Sequence, residues 1–276
     1  MKLGRKNYTI SVKTGTDANK AKFKKECVQG EIYHATDTGF FYVAEVTAGA
    51  SDATLSKFGA PAFANQYSVR FDQSNDFVSF GPVTALNSAS AFSVSVWYKK
   101  FAGLNAGMIV GAGTTNPSFY IQHFYDNKIY IGFGYTFASV SAAQDTDWHH
   151  VAYVNDSGTH KLYWDGNDMS LGGTPPSTTG SSLGDTFYLG KWNTYAPHFG
   201  GEIDEVSIFN SALTASNVTS IYNSGVPNDI SALNPVNWWR MGDNDGGTGT
   251  TITDQGSGGN DGTLTNGPTF SSTVPS

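Results

Sequence analysis

The segment Phe199-Gly200-Gly201-Glu202-Ile203-Asp204-Glu205-Val206-Ser207-Ile208-Phe209 limits what the rest of the chain can be. Its two glycines permit a sharp turn or a close approach of backbones. The residues after them alternate β-branched with polar, the period of two of a strand half buried against a core. If no bulge intervenes, Asp204 shares a face with Val206 and Ile208, which aims a carboxylate at the apolar side. A bare charge there is costly, so Asp204 requires hydrogen bonds, a cation or an exposed strand end.

Strand patterns recur at short intervals. Phe92, Val94, Val96 and Tyr98 fall on one face of a segment; Phe119 to Tyr125 and Lys128 to Phe133 flank an Asp126-Asn127 turn. Trp148 to Val154 and His160 to Trp164 flank Asn155-Asp156-Ser157-Gly158, and Asp165-Gly166 offers the next turn. These read as a meander of hairpins. Thr174 to Gly184 reads as loop. One helix is expected after Thr214, a plausible N-cap, with Val218, Ile221 and Tyr222 at i, i+3 and i+4 and Gly225 placed as a C′ glycine. With 32 glycines, 14% aromatic and 14% charged residues in 276, the composition is that of many short strands joined by tight turns.

Cys27 is the single cysteine, so no intrachain disulfide can form. Met1 to Asn7 leads into no apolar run and nothing approaches the length of a membrane span, so a soluble protein made in a cytoplasm is expected. Residues 1 to 30 hold eight Lys/Arg against two Asp/Glu, and the remainder holds eight against twenty-one. Such asymmetry fits a basic tail that docks on something acidic, or a solvated N-terminus.

Gly201 to Asn210 followed by Ala212-Leu213 resembles the G-x-I-D-E-V-x-I-(Y/F)-x-x-A-L signature of laminin G-like domains in the concanavalin A-like superfamily. Trp148-His149-His150-Val151-Ala152 resembles that family's W-x-H-V-A strand, and Tyr67 to Phe80 its opening hairpin. The resemblance implies an all-β fold, an antiparallel jelly-roll β-sandwich, here with a small N-terminal β-hairpin unit and one short helix. Trp238-Trp239-Arg240-Met241, Thr251 to Asp254 and Gly259 to Leu264 resemble the opening of the same domain, yet lie at the C-terminus. Either the domain is permuted and closed by residues 236–276, or a second copy is cut short. About forty residues cannot form a sandwich alone, which favours permutation.

Gly30 to Ala44 reads as two strands around a Thr-Asp-Thr-Gly turn. Gly30, Glu31, Ile32, Thr36, Asp37, Thr38, Tyr42 and Val43 match an element found in bacteriophage tail and head fibres near a trimer axis; the alternative is an ordinary hairpin. Ala48 to Asn65 is rich in Ala, Gly and Ser and reads as a linker or loop, which separates an attachment or oligomerisation unit over 1–65 from the sandwich over 66–276.

Four candidate sites follow. Glucanases of the superfamily carry E-x-D-x-E or E-x-D-x-x-E. Here Glu202 and Asp204 could share a face, but no third carboxylate follows at either spacing, so no enzyme is expected. A structural Ca²⁺ is a second candidate, held by Asp72, Asn75 and Asp76 with Asp204 from a neighbouring strand, or else the turn is merely rich in Asx residues. His149 and His150 must face opposite sides, so they cannot chelate one metal, and His150 reads as core. Trp192, Asn193, Tyr195 and His198 crowd one loop and form a candidate carbohydrate site, unless Trp192 and Tyr195 only cover an open sandwich end.

Taken together, the resemblances imply a bacteriophage virion structural protein, a fibre or capsid decoration assembled in the host cytoplasm. Its N-terminal unit contacts other virion proteins, as a homo-oligomer with a trimer favoured, and its lectin-like domain binds glycans. Nucleic-acid binding and membrane insertion are not expected. A polysaccharide-degrading depolymerase and a capsid cement protein with no ligand are the alternatives.

Overall fold

Nearly every segment with period-two alternation is a strand, and turns bearing Gly, Asn or Asp reverse the chain between them. The computed structural model describes residues 12–15, 32–35, 41–45, 54–58, 63–87, 89–103, 107–113, 119–133, 136–143, 145–173, 186–192 and 197–276. The chain divides into two units, Met1–Phe63 and Ala64–Ser276.

In the first unit β1 (Val12–Gly15), β2 (Ile32–Ala35), β3 (Phe41–Glu45) and β4 (Thr54–Phe58) form one sheet in that order. β1 runs parallel to β2, and the other pairs are antiparallel, with Ile32 opposite Val43 and Val43 opposite Ser56.

The second unit opens with β5 (Ser68–Asp72), β6 (Phe77–Ser79), β7 (Ala91–Lys100), β8 (Gly107–Ala112), β9 (Phe119–Phe124), β10 (Lys128–Phe133) and β11 (Thr136–Ser141). β12 (His149–Asp156), β13 (Thr159–Trp164), β14 (Asn167–Met169), β15 (Gly172–Gly173), β16 (Phe187–Leu189) and β17 (Gly200–Phe209) follow. Beyond the helix Ala215–Tyr222 come β18 (Asn237–Trp239), β19 (Thr251–Ile252), β20 (Gly262–Thr265) and β21 (Thr269–Ser271). Among the described residues these make two antiparallel sheets. One runs β15-β11-β10-β9-β8-β16-β6-β20-β19; the other runs β14-β13-β12-β7-β17-β5-β21, with β18 also paired to β17. Segment 236–276 thus adds strands to both sheets, at β17, β5 and β6.

The inner faces meet in one apolar core. Phe92, Val94, Val96 and Tyr98 of β7 share it with Phe119 and Ile121 of β9 and Phe187 and Leu189 of β16. Trp239, fully buried, stands 4.0 Å from Phe80 and 5.5 Å from Phe187 between ring centroids, so a C-terminal side chain fills the space between the layers.

β17 departs from simple alternation. Its register with β7 shifts between Asp204 and Ser207, and Glu205 takes a left-handed φ of 44°, a β-bulge. Ile203, Val206 and Ile208 therefore face the core, while Asp204, paired with Trp97, lies on the outer face. The expectation that Asp204 shares a face with Val206 and Ile208 fails because the bulge absorbs one residue.

The outer face of this sheet is covered in turn. Ser93 Oγ donates to Ser211 O and accepts from Leu213 N, both at 2.9 Å, and the helix buries Val218 and Ile221. Tyr222 stacks on Trp97 at 5.7 Å, and Trp97 contacts His150. His150 Nε2 is 2.8 Å from Ser95 Oγ, and burial pushes its pKa down to about 4, so it stays neutral. Thr214 caps the helix by accepting from Asn217 N, as expected, but the left-handed C-cap is Asn223 rather than Gly225, which closes the next turn. Among the described residues no helix is long and apolar enough to cross a membrane. The loop read over Thr174 to Gly184 lies outside the described residues.

Because Trp239 fills a fully buried site between the layers, Trp239→Ala is expected to cost about 3–5 kcal/mol. A urea titration measures it; a midpoint within error of wild type would mean the C-terminal segment does not close the core.

Candidate functional site

The β5–β6 turn satisfies itself. Asp72 Oδ1 accepts from Ser74 N at 2.7 Å and Asn75 N at 3.3 Å, and these N–H groups, Ser74's first, hold its pKa below the usual carboxylate value. Asp76 Oδ2 accepts from Asp72 N at 3.0 Å, although burial raises its pKa. Gln73 N donates to Phe199 O, and Asn266 Nδ2 donates to Asn75 O, which ties the turn to its neighbours.

The second element is the chain between β16 and β17. Gly190 N donates to Ile109 O, Phe199 N to Gly190 O at 2.9 Å, and Met108 N to Pro197 O at 3.1 Å. The loop can lie on the outer face of the sheet because of one missing side chain. A Cβ on Gly111 would stand 2.5 Å from Lys191 O and 2.6 Å from Trp192 Cα. Tyr188, Gly111, Tyr120 and Gly132 are cross-strand partners in succession on β16, β8, β9 and β10. Bulky and absent side chains thus alternate: Trp192 lies over Gly111 with its ring 5.3 Å from Tyr120, and the Tyr120 ring occupies the space above Gly132.

Polar groups converge beside these rings. Lys191 Nζ sits 3.5 Å from the centroid of Phe77 and 4.5 Å from that of Tyr188, two rings in edge contact at 6.0 Å. Burial lowers the Lys191 pKa. His198 is half-buried; its pKa is lowered by burial and then by Lys191, against the pull of Asp72 and Asp76. His198 of the expected carbohydrate site thus feels the charges of Asp72 and Asp76 of the expected cation site, while Trp192 lies over Gly111 beside Tyr120. Asn193 and Tyr195 lie outside the described residues.

Asp204 is not brought to the Asp72–Asp76 turn. Gly200 pairs with Asp72, and Asp204 is four residues further along β17, about 13 Å away. The four expected cation ligands do not form one site, and among the described residues no group of three or more His, Cys, Asp or Glu is arranged to hold a metal. Asp204 instead accepts from Asn65 Nδ2 at 2.9 Å and Glu205 N at 2.8 Å, and Glu205 accepts from Trp238 Nε1 at 2.6 Å and Arg240 Nε at 3.0 Å. Asp243 takes Gln66 N, Tyr67 N and Arg240 Nη2. Burial and then the Glu205 charge push Asp204 well up; burial pushes Glu205 up to about 7 although Arg240 and the Trp238 N–H oppose it.

His149 and His150 face opposite ways. His149 Nδ1 is 2.8 Å from Asp165 and Nε2 2.8 Å from Asp145, and these bonds raise its pKa despite the lowering effect of burial. Sequence reasoning did not single out Tyr120, Tyr188, Phe77 or Lys191. The available signal was a lone glycine inside each of two strand patterns, at Gly111 and Gly132.

Two facing antiparallel sheets with Trp239 and the C-terminal strands between and beside them define an all-β sandwich of the jelly-roll kind. A family profile described as the concanavalin A-like lectin/glucanases superfamily, in its laminin G form, matches residues 72–219. That is more than half of the chain, and the chain belongs to this superfamily. A Bacteroides ovatus protein provisionally designated carbohydrate binding is similar with a TM-score of 0.58 and 17% identity, over 91% of this chain and 72% of that one. At that identity the likeness is one of fold. A Ruminococcus gnavus sialidase carbohydrate-binding module bound to α2,3-sialyllactose gives 0.47 and 13%, over 56% and 96%. Domain 4 of a Geobacillus stearothermophilus arabinanase bound to arabinotriose gives 0.41 and 23%, over 66% and 81%. No curated protein matches the sequence.

The Asp204–Glu205 pair makes stability pH-dependent. With its folded pKa near 7 against 4.5 unfolded, Glu205 contributes stability that is fully present below about pH 4.5 and lost as pH rises through about 7. Relative to Glu205→Gln, which mimics the protonated side chain and cancels the opposite contribution of His150, wild type is expected to lose stability as pH rises from about 4.5 through about 7. Paired urea titrations check this, and a difference that grows with pH would reverse the assignment.

Proposed function

We propose that this protein is a virion structural component whose second unit binds glycans without hydrolysing them, at the rim built by the Asp72–Asp76 turn and the loop carrying Lys191, Trp192 and His198. The observation that supports this most is the placement of Trp192 over Gly111 and beside Tyr120, on the same loop as Lys191 and His198, which lie within each other's electrostatic reach. Sugars stack their apolar C–H faces on such rings while hydroxyls take hydrogen bonds from neighbouring polar side chains. The carbohydrate-binding designation of the Bacteroides ovatus protein points the same way. Residues 1–63 attach the sandwich to a particle as a trimer, a role that rests on the likeness of Gly30 to Val43 to phage fibre elements and on the excess of Lys and Arg in residues 1–30.

Hydrolysis is the weaker reading. Glu202, Asp204 and Glu205 are at most 5% exposed, and their oxygens already serve Ser271, Asn65, Trp238 and Arg240. Carboxylates spent in this way have no access to a glycosidic bond.

A glycan array at millimolar calcium tests the binding role. Wild type is expected to bind a defined set of glycans, and Trp192→Ala to lose about tenfold in affinity with an unchanged melting temperature. A blank array would leave a cementing role in its place.

A further inference from the structure

We infer that the ligand of this rim is an acidic glycan whose sugar carboxylate docks on Lys191 Nζ while its ring lies against Trp192. The inference rests on the glycan-binding reading and narrows it to a chemical class.

Lys191 is half-buried, and its ammonium is placed against the faces of Phe77 and Tyr188, at 3.5 and 4.5 Å. Rings stabilise a cation through their quadrupole but accept no conventional hydrogen bond, whereas an ammonium carries three donors. Among the described residues no carboxylate lies within ion-pair distance of it, and no neighbouring charge offsets the cost of its burial. Arg70, Lys128, Lys161 and Arg240, by contrast, each have a carboxylate at 3.9 Å or less. Asp72 and Asp76 of the rim accept from Ser74 N and Asn75 N and from Asp72 N, and neither forms an ion pair with Lys191.

A half-buried cation with no anion beside it among the described residues is the half of an ion pair that a ligand can complete. A carboxylate bond to it is charge-assisted and roughly twice as strong as one between neutral groups. Nζ stands on Tyr188 and the indole beside Tyr120, and Gly111 is the cross-strand partner of both tyrosines, so a ligand anchored at Nζ extends along that row toward Trp192. The chain's net charge of −7 repels polyanions at long range, so recognition is of one carboxylate at one place, not of a diffuse anionic surface.

Calorimetry with a galacto-oligosaccharide bearing one terminal uronate, a sialylated lactose and a neutral galacto-oligosaccharide tests this on the full chain. The first two probes separate a uronate from a sialate as the source of the carboxylate, and tight binding of either supports the inference. The acidic ligand is expected to bind about tenfold or more tightly than the neutral one, with the gap closing at high salt. Lys191→Met keeps the apolar stem against Phe77 and Tyr188 and is expected to remove that advantage, while Lys191→Arg retains it. Equal affinity for acidic and neutral probes, or an unaffected Lys191→Met, overturns the inference; sensitivity of that residual binding to Trp192→Ala would show the glycan site itself to be intact. Failure of wild type to bind any probe here and any glycan on the array overturns both readings.

Discussion

β17 depends on a single bulged residue to serve three partners. One edge runs along β7; the other is shared, β5 pairing with Gly200–Ile203 and β18 with Val206–Ile208. The bulge at Glu205 separates the two halves and turns that side chain toward Trp238 and Arg240. Without it, a strict period of two would carry Val206 and Ile208 to the outer face. The bulge therefore sets both the core register of the second half of the strand and the docking of the C-terminal segment, whose Trp239 then reaches the space between the sheets.

The rim is built on the same economy of shape. Where the sheet must receive a crossing loop, β8 has Gly111; where Tyr120 must lie flat, β10 has Gly132. Each glycine weakens its strand locally, and each allows an aromatic ring to settle against backbone. The resulting surface sets aromatic rings directly on backbone, with Lys191 beside them.

Much of the architecture was legible in the residues. Ser157-Gly158 and Asp165-Gly166 adopt the left-handed conformations that two-residue hairpins demand, and Thr214 caps the helix it precedes. The fold family was legible in Gly201–Leu213 because the signature marks a strand buried on both faces. The side of Asp204 was not legible, since a bulge is set by tertiary pairing and Glu205 has no residue-type signal for a positive φ. Nor was the grouping of Lys191 with Phe77 and Tyr188, as it joins positions over a hundred residues apart through strand order, which no local pattern encodes.

β5 carries a further consequence. Its first residue, Ser68, pairs with Ser271 and donates to Thr273 O at 2.7 Å, while its last, Asp72, opens the turn at the rim. Entry to and exit from the sandwich thus lie side by side, one strand's length, about 13 Å, from the turn that Asp72 opens. A body with adjoining ends is a plug-in module: spliced into a surface loop of another protein, it would ask of its host no wider a gap than a β-hairpin does, and would present its rim outward.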